Sequence, residues 1–98
     1  MIDNVNHPEH YTKGGVECID AIRASMDKDG FAAYCKGNAL KYLWRYKDKG
    51  GLQDLEKANV YLAWLIETEQ ELKAEMDARM AEWRRQQELK AAAAQEGA

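Results

Sequence analysis

The stretch from Leu52 to Glu96 constrains the fold most, because it contains neither proline nor glycine. Its apolar residues keep helical spacing and stay within about 120° of arc on a helical projection. These residues are Leu55, Ala58, Leu62, Leu65, Ile66, Leu72, Met76, Met80 and Trp83. The pattern predicts about forty residues of helix, ~60 Å long at 1.5 Å per residue. Two short helices cannot cover that length, so we expect its distal half to contact another subunit.

A second helix is predicted over residues 31–46, and it is apolar around most of its circumference. One apolar arc is formed by Phe31, Cys35, Ala39, Tyr42, Leu43 and Tyr46, and a second one by Leu40 and Trp44. We therefore expect this helix to be buried on two sides. Gly37 lies in its middle and indicates either the close approach of another backbone or ligand, or a tolerated surface glycine.

The remaining segments complete an all-α fold. Apolar spacing predicts a short first helix from Val16 to about Met26, followed by turns at residues 27–30 and 47–51. We predict two short helices and one long C-terminal helix, with a helical hairpin core and oligomerisation through the long helix. The expected organisation is an irregular leader over 1–15, a helical nucleotide-binding core over 16–66, a helical extension for subunit contact over 67–90 and a disordered tail over 91–98.

Composition limits the classes of function. The chain has 98 residues, of which 46% are hydrophobic, and this size indicates one small domain. The net charge of −3, with acids interspersed among the bases, argues against DNA or RNA binding. The sequence has no apolar run of ~18 residues and no signal-peptide pattern. Cys18 and Cys35 lie outside any C-x-x-C motif, so we expect core cysteines in a soluble cytosolic protein.

A narrow polar strip runs along the otherwise apolar surface of the second helix and contains Asn38, Lys41 and Arg45. Antiparallel pairing across the 47–51 turn places Arg45 level with Asp54, and Lys41 near Tyr61. One interpretation is structural, an Arg45 to Asp54 ion pair that ties the hairpin. The other is functional, a small cleft that accepts an anion. Its lining would be Asn38, Lys41, Arg45, Lys57 and Tyr61, with Asp54 orienting one cation. The sequence leaves both open.

The leader offers a second polar and aromatic group around His10 and Tyr11, which a stiff X-Pro step could fix over the mouth of a cleft. As metal ligands, His7 and His10 are weak candidates, because no third or fourth ligand residue stands at a recognisable spacing. No phosphate-binding loop or other familiar catalytic motif is present. Nor is there the carboxylate cluster that a magnesium-dependent all-helical pyrophosphohydrolase requires.

Several segments together resemble a known family. They are His7-Pro8-Glu9-His10-Tyr11, Gly15-Val16-Glu17-Cys18-Ile19-Asp20, Cys35-Lys36-Gly37-Asn38-Ala39-Leu40-Lys41-Tyr42, Arg45, Asp54-Leu55-Glu56-Lys57-Ala58 and Tyr61-Leu62. The chain is similar, over about residues 6–66, to the small tailed-phage family described as nucleotide kinase-like, a phage domain of unknown function.

This resemblance implies a phage protein that binds nucleotides in the host cytoplasm, and a possible nucleoside-monophosphate kinase. The matched positions then supply candidates for nucleotide binding, namely His10, Tyr11, Asn38, Lys41, Arg45, Lys57 and Tyr61. His10 and Asp54 become the candidates for catalytic proton transfer. Magnesium would accompany a kinase, but no residues are assigned to a metal.

Two other functions use the same features. One is a nonenzymatic sponge that sequesters a nucleotide or a cyclic-nucleotide immune signal as an anti-defence protein, for which cationic pockets in a homo-oligomer suffice. The other is a helical inhibitor of a host protein, acting through Leu72, Met76, Met80 and Trp83. We expect no membrane partner for any of the three.

Overall fold

The computed structural model describes residues 12–13 and 16–97, which form three α-helices and two very short strands. Strand β1 (Thr12–Lys13) pairs antiparallel with β2 (Val16–Glu17). The helices are α1 (Cys18–Ala24), α2 (Lys28–Arg45) and α3 (Leu52–Gly97), and α2 packs against the first part of α3 as an antiparallel hairpin. The predicted class, all-α with two short helices, a long C-terminal helix and a hairpin core, is confirmed. None of the described helices has the length and apolarity needed to cross a membrane.

The observed helix boundaries differ from the predicted ones for local reasons. Helix α1 begins at Cys18 because Val16 and Glu17 belong to a strand. Helix α2 begins three residues before Phe31, because the Asp27 side chain caps it by accepting a hydrogen bond from the Gly30 backbone N–H at 2.7 Å. A Cβ on Gly30 would lie 3.0 Å from Asp27 Oδ1, so glycine leaves room for this cap. The segment interpreted as a turn is therefore an N-cap and the first helical turn.

Small side chains and one aromatic ring fill the interface between α2 and α3. The buried residues are Phe31, Ala32, Cys35 and Ala39 on α2, and Asp54, Ala58 and Thr68 on α3. Burial raises the pKa of the Cys35 thiol, as expected for a core cysteine. Cys18, however, is exposed, because α1 contributes no buried residue. The prediction of a core position is confirmed for Cys35 and wrong for Cys18.

Within the part of the chain that the structure describes, helix α2 is buried on one side only, whereas the sequence predicted two. The arc that contains Phe31 and Cys35 faces α3, but Leu40 is 57% exposed and Trp44 is 90% exposed. A Cβ on Gly37 would meet no atom within 4 Å. Within the described chain, Gly37 is thus a surface glycine rather than a point of close backbone approach.

Helix α3 extends well past the hairpin. Lys28 at the start of α2 contacts α3 through Glu75, with which it forms an ion pair, and through Glu71 at 3.7 Å. Every residue from Lys73 to Gly97 is exposed. The helix continues through 91–97, where the sequence predicted a disordered tail, since consecutive alanines have the highest helix propensity. The division at residues 66 and 67 and the subunit contact stay predictions.

Candidate anion-binding site

The turn between α2 and α3 brings the predicted pair Arg45 and Asp54 together. Arg45 donates from Nε to Asp54 Oδ2 at 3.1 Å and from Nη2 to Oδ1 at 3.3 Å. The Gly50 backbone N–H also donates to Oδ2, at 2.9 Å. The Asp54 side chain is only 1% exposed, whereas that of Arg45 remains 38% exposed. The structural interpretation of the polar strip is thereby confirmed: this ion pair ties the hairpin.

Two glycines make this arrangement possible. A Cβ on Gly50 would overlap the carboxylate of Asp54, and Gly51 has a φ of +56°, a conformation that other residues adopt at a cost. The hydrogen bond from Arg45 lowers the pKa of Asp54; burial opposes this, and the Gly50 hydrogen bond adds to it. The same bond raises the pKa of Arg45. Both groups are therefore charged at neutral pH.

Three cations surround the ring of Tyr42. Lys41 Nζ lies 4.6 Å from the ring centroid, Arg45 Cζ lies 4.9 Å away and Lys57 Nζ lies 5.4 Å away. These distances are typical of cation–π contacts. All three charges thus lie within about 10 Å of one another, which is close to the Debye length at physiological ionic strength. We call Lys41, Tyr42, Arg45 and Lys57 the cation cluster.

An aromatic row supports the cation cluster from the core. Tyr61 stacks on Tyr42, with centroids 5.9 Å apart and planes 17° apart. Tyr61 also meets Tyr34 edge to face at 5.9 Å, and Tyr34 stacks on the buried Phe31 at 6.0 Å. Trp64 meets Tyr61 edge to face at 5.4 Å. The position of the Tyr42 ring is therefore set by contacts that lead back to the hairpin core.

The charges of the cluster do not balance. Among the described residues, Asp54 is the only carboxylate that forms an ion pair with one of the three cations. Among the residues that the structure describes, Lys41 and Lys57 form no ion pair. Like charges this close repel one another, and the face of one ring offsets only part of that repulsion. An added anion would relieve it, so the arrangement is suited to holding a phosphate group.

The predicted site residues divide into three groups. Lys41, Arg45, Lys57 and Tyr61 meet at Tyr42, and Asp54 joins them through Arg45. Asn38 lies apart, because its amide nitrogen donates to the backbone oxygen of Tyr34 at 2.9 Å within the same helix. His7, His10 and Tyr11 lie outside the described residues.

Tyr42 lies at the centre of the cluster, but the sequence pattern placed it in the apolar arc of the second helix and not among the candidate site residues. Its position next to Lys41 and three residues before Arg45 was the available signal, since residues three apart on a helix share a face.

A groove of about 200 Å³ lies at the other end of the hairpin. It is lined by Arg23, Met26, Asp27, Lys28, Phe31, Thr68 and Glu71. Its two cations face two carboxylates, and Lys28 is already paired with Glu71 and Glu75. The groove therefore suits an anion less well than the cation cluster does. Within residues 12–13 and 16–97, no group of three or more His, Cys, Asp or Glu residues could hold a metal ion.

Comparison with protein families gives a match over more than half of the chain. The profile described as "Protein of unknown function (DUF3310)" matches residues 5–63. The chain belongs to this family. The region that defines it as a DUF3310 protein includes α2, the turn and the part of α3 that carries Asp54, Lys57 and Tyr61.

Two phage proteins are similar to this DUF3310 chain. The gene 1.7 protein of Enterobacteria phage T3 is 43% identical over 63 residues, which are 59% of this chain and 39% of the T3 protein. The nucleotide kinase gp1.7 of Escherichia phage T7 is 40% identical over 65 residues, which are 61% of this chain and 33% of the T7 protein. The chain thus spans less than half the length of these relatives. No solved structure matches it.

The resemblance to a phage family described as nucleotide kinase-like is therefore confirmed. Both relatives of this DUF3310 protein come from bacteriophages, and the T7 relative carries the name nucleotide kinase.

Proposed function

We propose that this protein binds a nucleotide through the cation cluster, as a phage protein related to nucleotide kinases that acts in the cytoplasm of the infected host. The observation that carries the proposal is the convergence of three cations on the Tyr42 ring, of which, among the described residues, Arg45 alone forms an ion pair. The name of the T7 relative supports it, because the region of similarity spans much of this chain.

The residues of the cluster would have different roles. The ammonium groups of Lys41 and Lys57 contact the Tyr42 ring, and because neither forms an ion pair with a described residue, both can bind phosphate directly. Arg45 directs Nε and Nη2 toward Asp54, which leaves its other guanidinium N–H groups for a ligand. Asp54 would act as a positioning residue. As a base it would have to give up its bonds from Arg45 and Gly50, and the lowered pKa of its carboxyl group opposes protonation.

The other predicted ligands fit around this phosphate site. Asn38 lies about one helical turn before Lys41, and its amide oxygen can accept from a base or sugar while the amide nitrogen stays on Tyr34. Tyr61 holds the Tyr42 ring by stacking. We propose His10 and Tyr11 as further nucleotide contacts, His10 as the proton carrier if phosphoryl transfer occurs, and magnesium as the companion of the phosphates in that case.

Calorimetric titration with nucleoside mono-, di- and triphosphates tests the binding site. Lys41→Gln and Lys57→Gln should each weaken binding by about tenfold, because each removes one charge-assisted phosphate contact. Lys36→Gln is the matched control, since Lys36 is an exposed lysine on the opposite side of α2. Equal affinities for all three variants and the unaltered chain would rule out this site.

For Arg45, the test requires a substitution that keeps the positive charge. Arg45→Ala would leave the buried carboxylate of Asp54 without its counter-charge, so lost binding and lost folding could not be separated. Arg45→Lys keeps the charge but removes the two-pronged contact with Asp54. We expect Arg45→Lys to bind nucleotide more weakly than the unaltered chain while its helix content, measured by circular dichroism, stays the same.

Sequestration is the second candidate, and one observation favours it. The described residues form one cation cluster of the kind that phosphate binding requires, whereas phosphoryl transfer needs a donor and an acceptor held in line. Incubation with each nucleoside monophosphate, a triphosphate donor and magnesium distinguishes the two functions. If diphosphate forms, and if Lys41→Gln and Lys57→Gln form less of it than the unaltered chain, the protein is a kinase. Saturable binding without product would show a nonenzymatic sponge.

A further inference from the structure

Helix α3 carries a row of large apolar side chains that no described residue covers. Leu62, Ile66, Met76, Met80 and Trp83 are 47–57% exposed. With Glu69 and Lys73 they follow one another at intervals of four and three residues, which is the spacing of a coiled-coil contact line. We call these seven residues the seam. It runs beside the face that contacts α2, since Leu62 and Ile66 lie about 80° and 120° around the helix from Asp54.

The two polar residues of the seam restrict what can cover it. Glu69 and Lys73 have opposite charges and lie in the middle of the row. In a parallel pair of identical helices in register, Glu69 would face Glu69 and Lys73 would face Lys73, and both contacts repel. In an antiparallel pair, each residue can instead face its opposite charge. The charge pattern therefore favours a second copy of this chain in the antiparallel orientation.

We propose that α3 pairs with α3 of a second copy, antiparallel, around a two-fold axis at the level of Glu71. In this register Glu69 lies opposite the partner's Lys73, Ile66 opposite the partner's Met76 and Leu62 opposite the partner's Met80. Every seam position from Leu62 to Met80 then meets a complementary side chain, and two-fold symmetry makes each contact twice.

Registers shifted by one heptad pair the seam residues less favourably. A shift by one heptad in one direction places Met76 opposite Lys73 and Met80 opposite Glu69. The opposite shift places Leu62 opposite Lys73 and Ile66 opposite Glu69. Both bury charged groups against apolar ones without a partner.

Intrachain contacts leave the seam free to pair. Lys73 Nζ contacts Asp77 at 2.8 Å within the helix, and this lysine can serve a second carboxylate because it has three donors. Residues 59–83 of the two helices would overlap over ~36 Å. In this register Glu67 would lie level with the partner's Glu75, and Thr68 level with the partner's Ala74. Glu67 and Glu75 lie about 130–150° around the helix from the middle of the seam, so these two carboxylates point away from the contact line. The pairing does not use Lys41, Arg45 or Lys57.

Charge exchange between variants tests the orientation and the register. Light scattering after size-exclusion chromatography should show association of the 11.2 kDa chain. Glu69→Lys and Lys73→Glu should each raise the dissociation constant by about tenfold or more, because each places like charges opposite one another twice. A mixture of the two variants should associate as strongly as the unaltered chain, since lysines then face glutamates across the interface. Glu56→Lys, the same charge change on an exposed position outside the seam, is the control.

The outcomes separate the alternatives. A parallel pair would tolerate either single variant, because it already places like charges together. Restored association in the mixture cannot come from contacts within one helix. Each variant still carries two like charges at positions 69 and 73, four residues apart on its own helix. Circular dichroism of each variant shows whether α3 still forms. An unaltered chain that is monomeric at 100 micromolar would overturn the proposal and would leave the seam exposed, as a helical inhibitor of a host protein requires. Association that ignores Glu69→Lys and Lys73→Glu would also overturn it.

Discussion

Phe31→Ala should destabilise the hairpin severely. Phe31 is 2% exposed, so the substitution removes a ring that is almost wholly buried. Substitutions of this kind cost about 3–5 kcal/mol, because apolar contact is lost and a cavity remains. The ring also stacks on Tyr34 and lies under the guanidinium of Arg23, with Arg23 Cζ 4.7 Å from its centroid. Because of these contacts, we expect a loss no smaller than the middle of that range, about 4 kcal/mol.

A loss of about 4 kcal/mol is a large part of the total free energy of unfolding of a small domain. Domains of this size have free energies of unfolding of about 5–15 kcal/mol, and small ones lie at the lower end. A loss of about 4 kcal/mol corresponds to a melting temperature lower by about 15–30 °C. Urea titration followed by circular dichroism measures the free energy of unfolding, and an unchanged slope against urea shows that both chains unfold in the same way. All chains should be compared at one protein concentration, because association alters apparent stability.

Trp44→Ala is the matched control for this prediction. It removes a larger ring from the same helix, but Trp44 is 90% exposed. Exposed substitutions usually change stability by less than about 0.5 kcal/mol. If burial against α3 holds the hairpin together, the smaller deletion must cost far more than the larger one. Similar losses for the two variants, or a loss below about 1 kcal/mol for Phe31→Ala, would refute this account of the core.

Four further predictions concern Asp54 at the turn, two glycines and α3. The pKa of Asp54 is lower in the folded hairpin than the ordinary 3.8, so its ionisation stabilises the fold above that value. This stability is lost as the pH falls from 3.8 through the folded-state pKa. Over that range the melting temperature of Asp54→Asn should therefore fall less steeply with decreasing pH than that of the unaltered chain. Gly37→Ala should raise the free energy of unfolding by about 0.5–1 kcal/mol, since its Cβ meets open space. Gly50→Ala should lower the melting temperature, since its Cβ would overlap the Asp54 carboxylate. Met76→Glu with Met80→Glu should reduce the mass seen by light scattering while α1 and α2 stay folded by circular dichroism.

Local patterns were sufficient for the helices and for the pairing at the turn. The proline-free run after Leu52 predicted one long helix, and helical periodicity together with a short glycine turn predicted that Arg45 lies level with Asp54. Both features depend on residues near one another in sequence, where helical geometry fixes relative positions. Boundaries were less certain, because Asp27 can end one segment or cap the next, and the difference depends on one hydrogen bond to Gly30.

The sequence by itself determined that α2 has a polar strip between apolar arcs and that three cations lie near one edge of the hairpin. Tertiary structure alone decided which apolar arc is buried, because Phe31 and Leu40 are both apolar and only packing against α3 distinguishes the buried side chain from the exposed one. It also decided that the cations meet at Tyr42, since the distance from Lys57 to that ring depends on how two helices pack rather than on either helix alone.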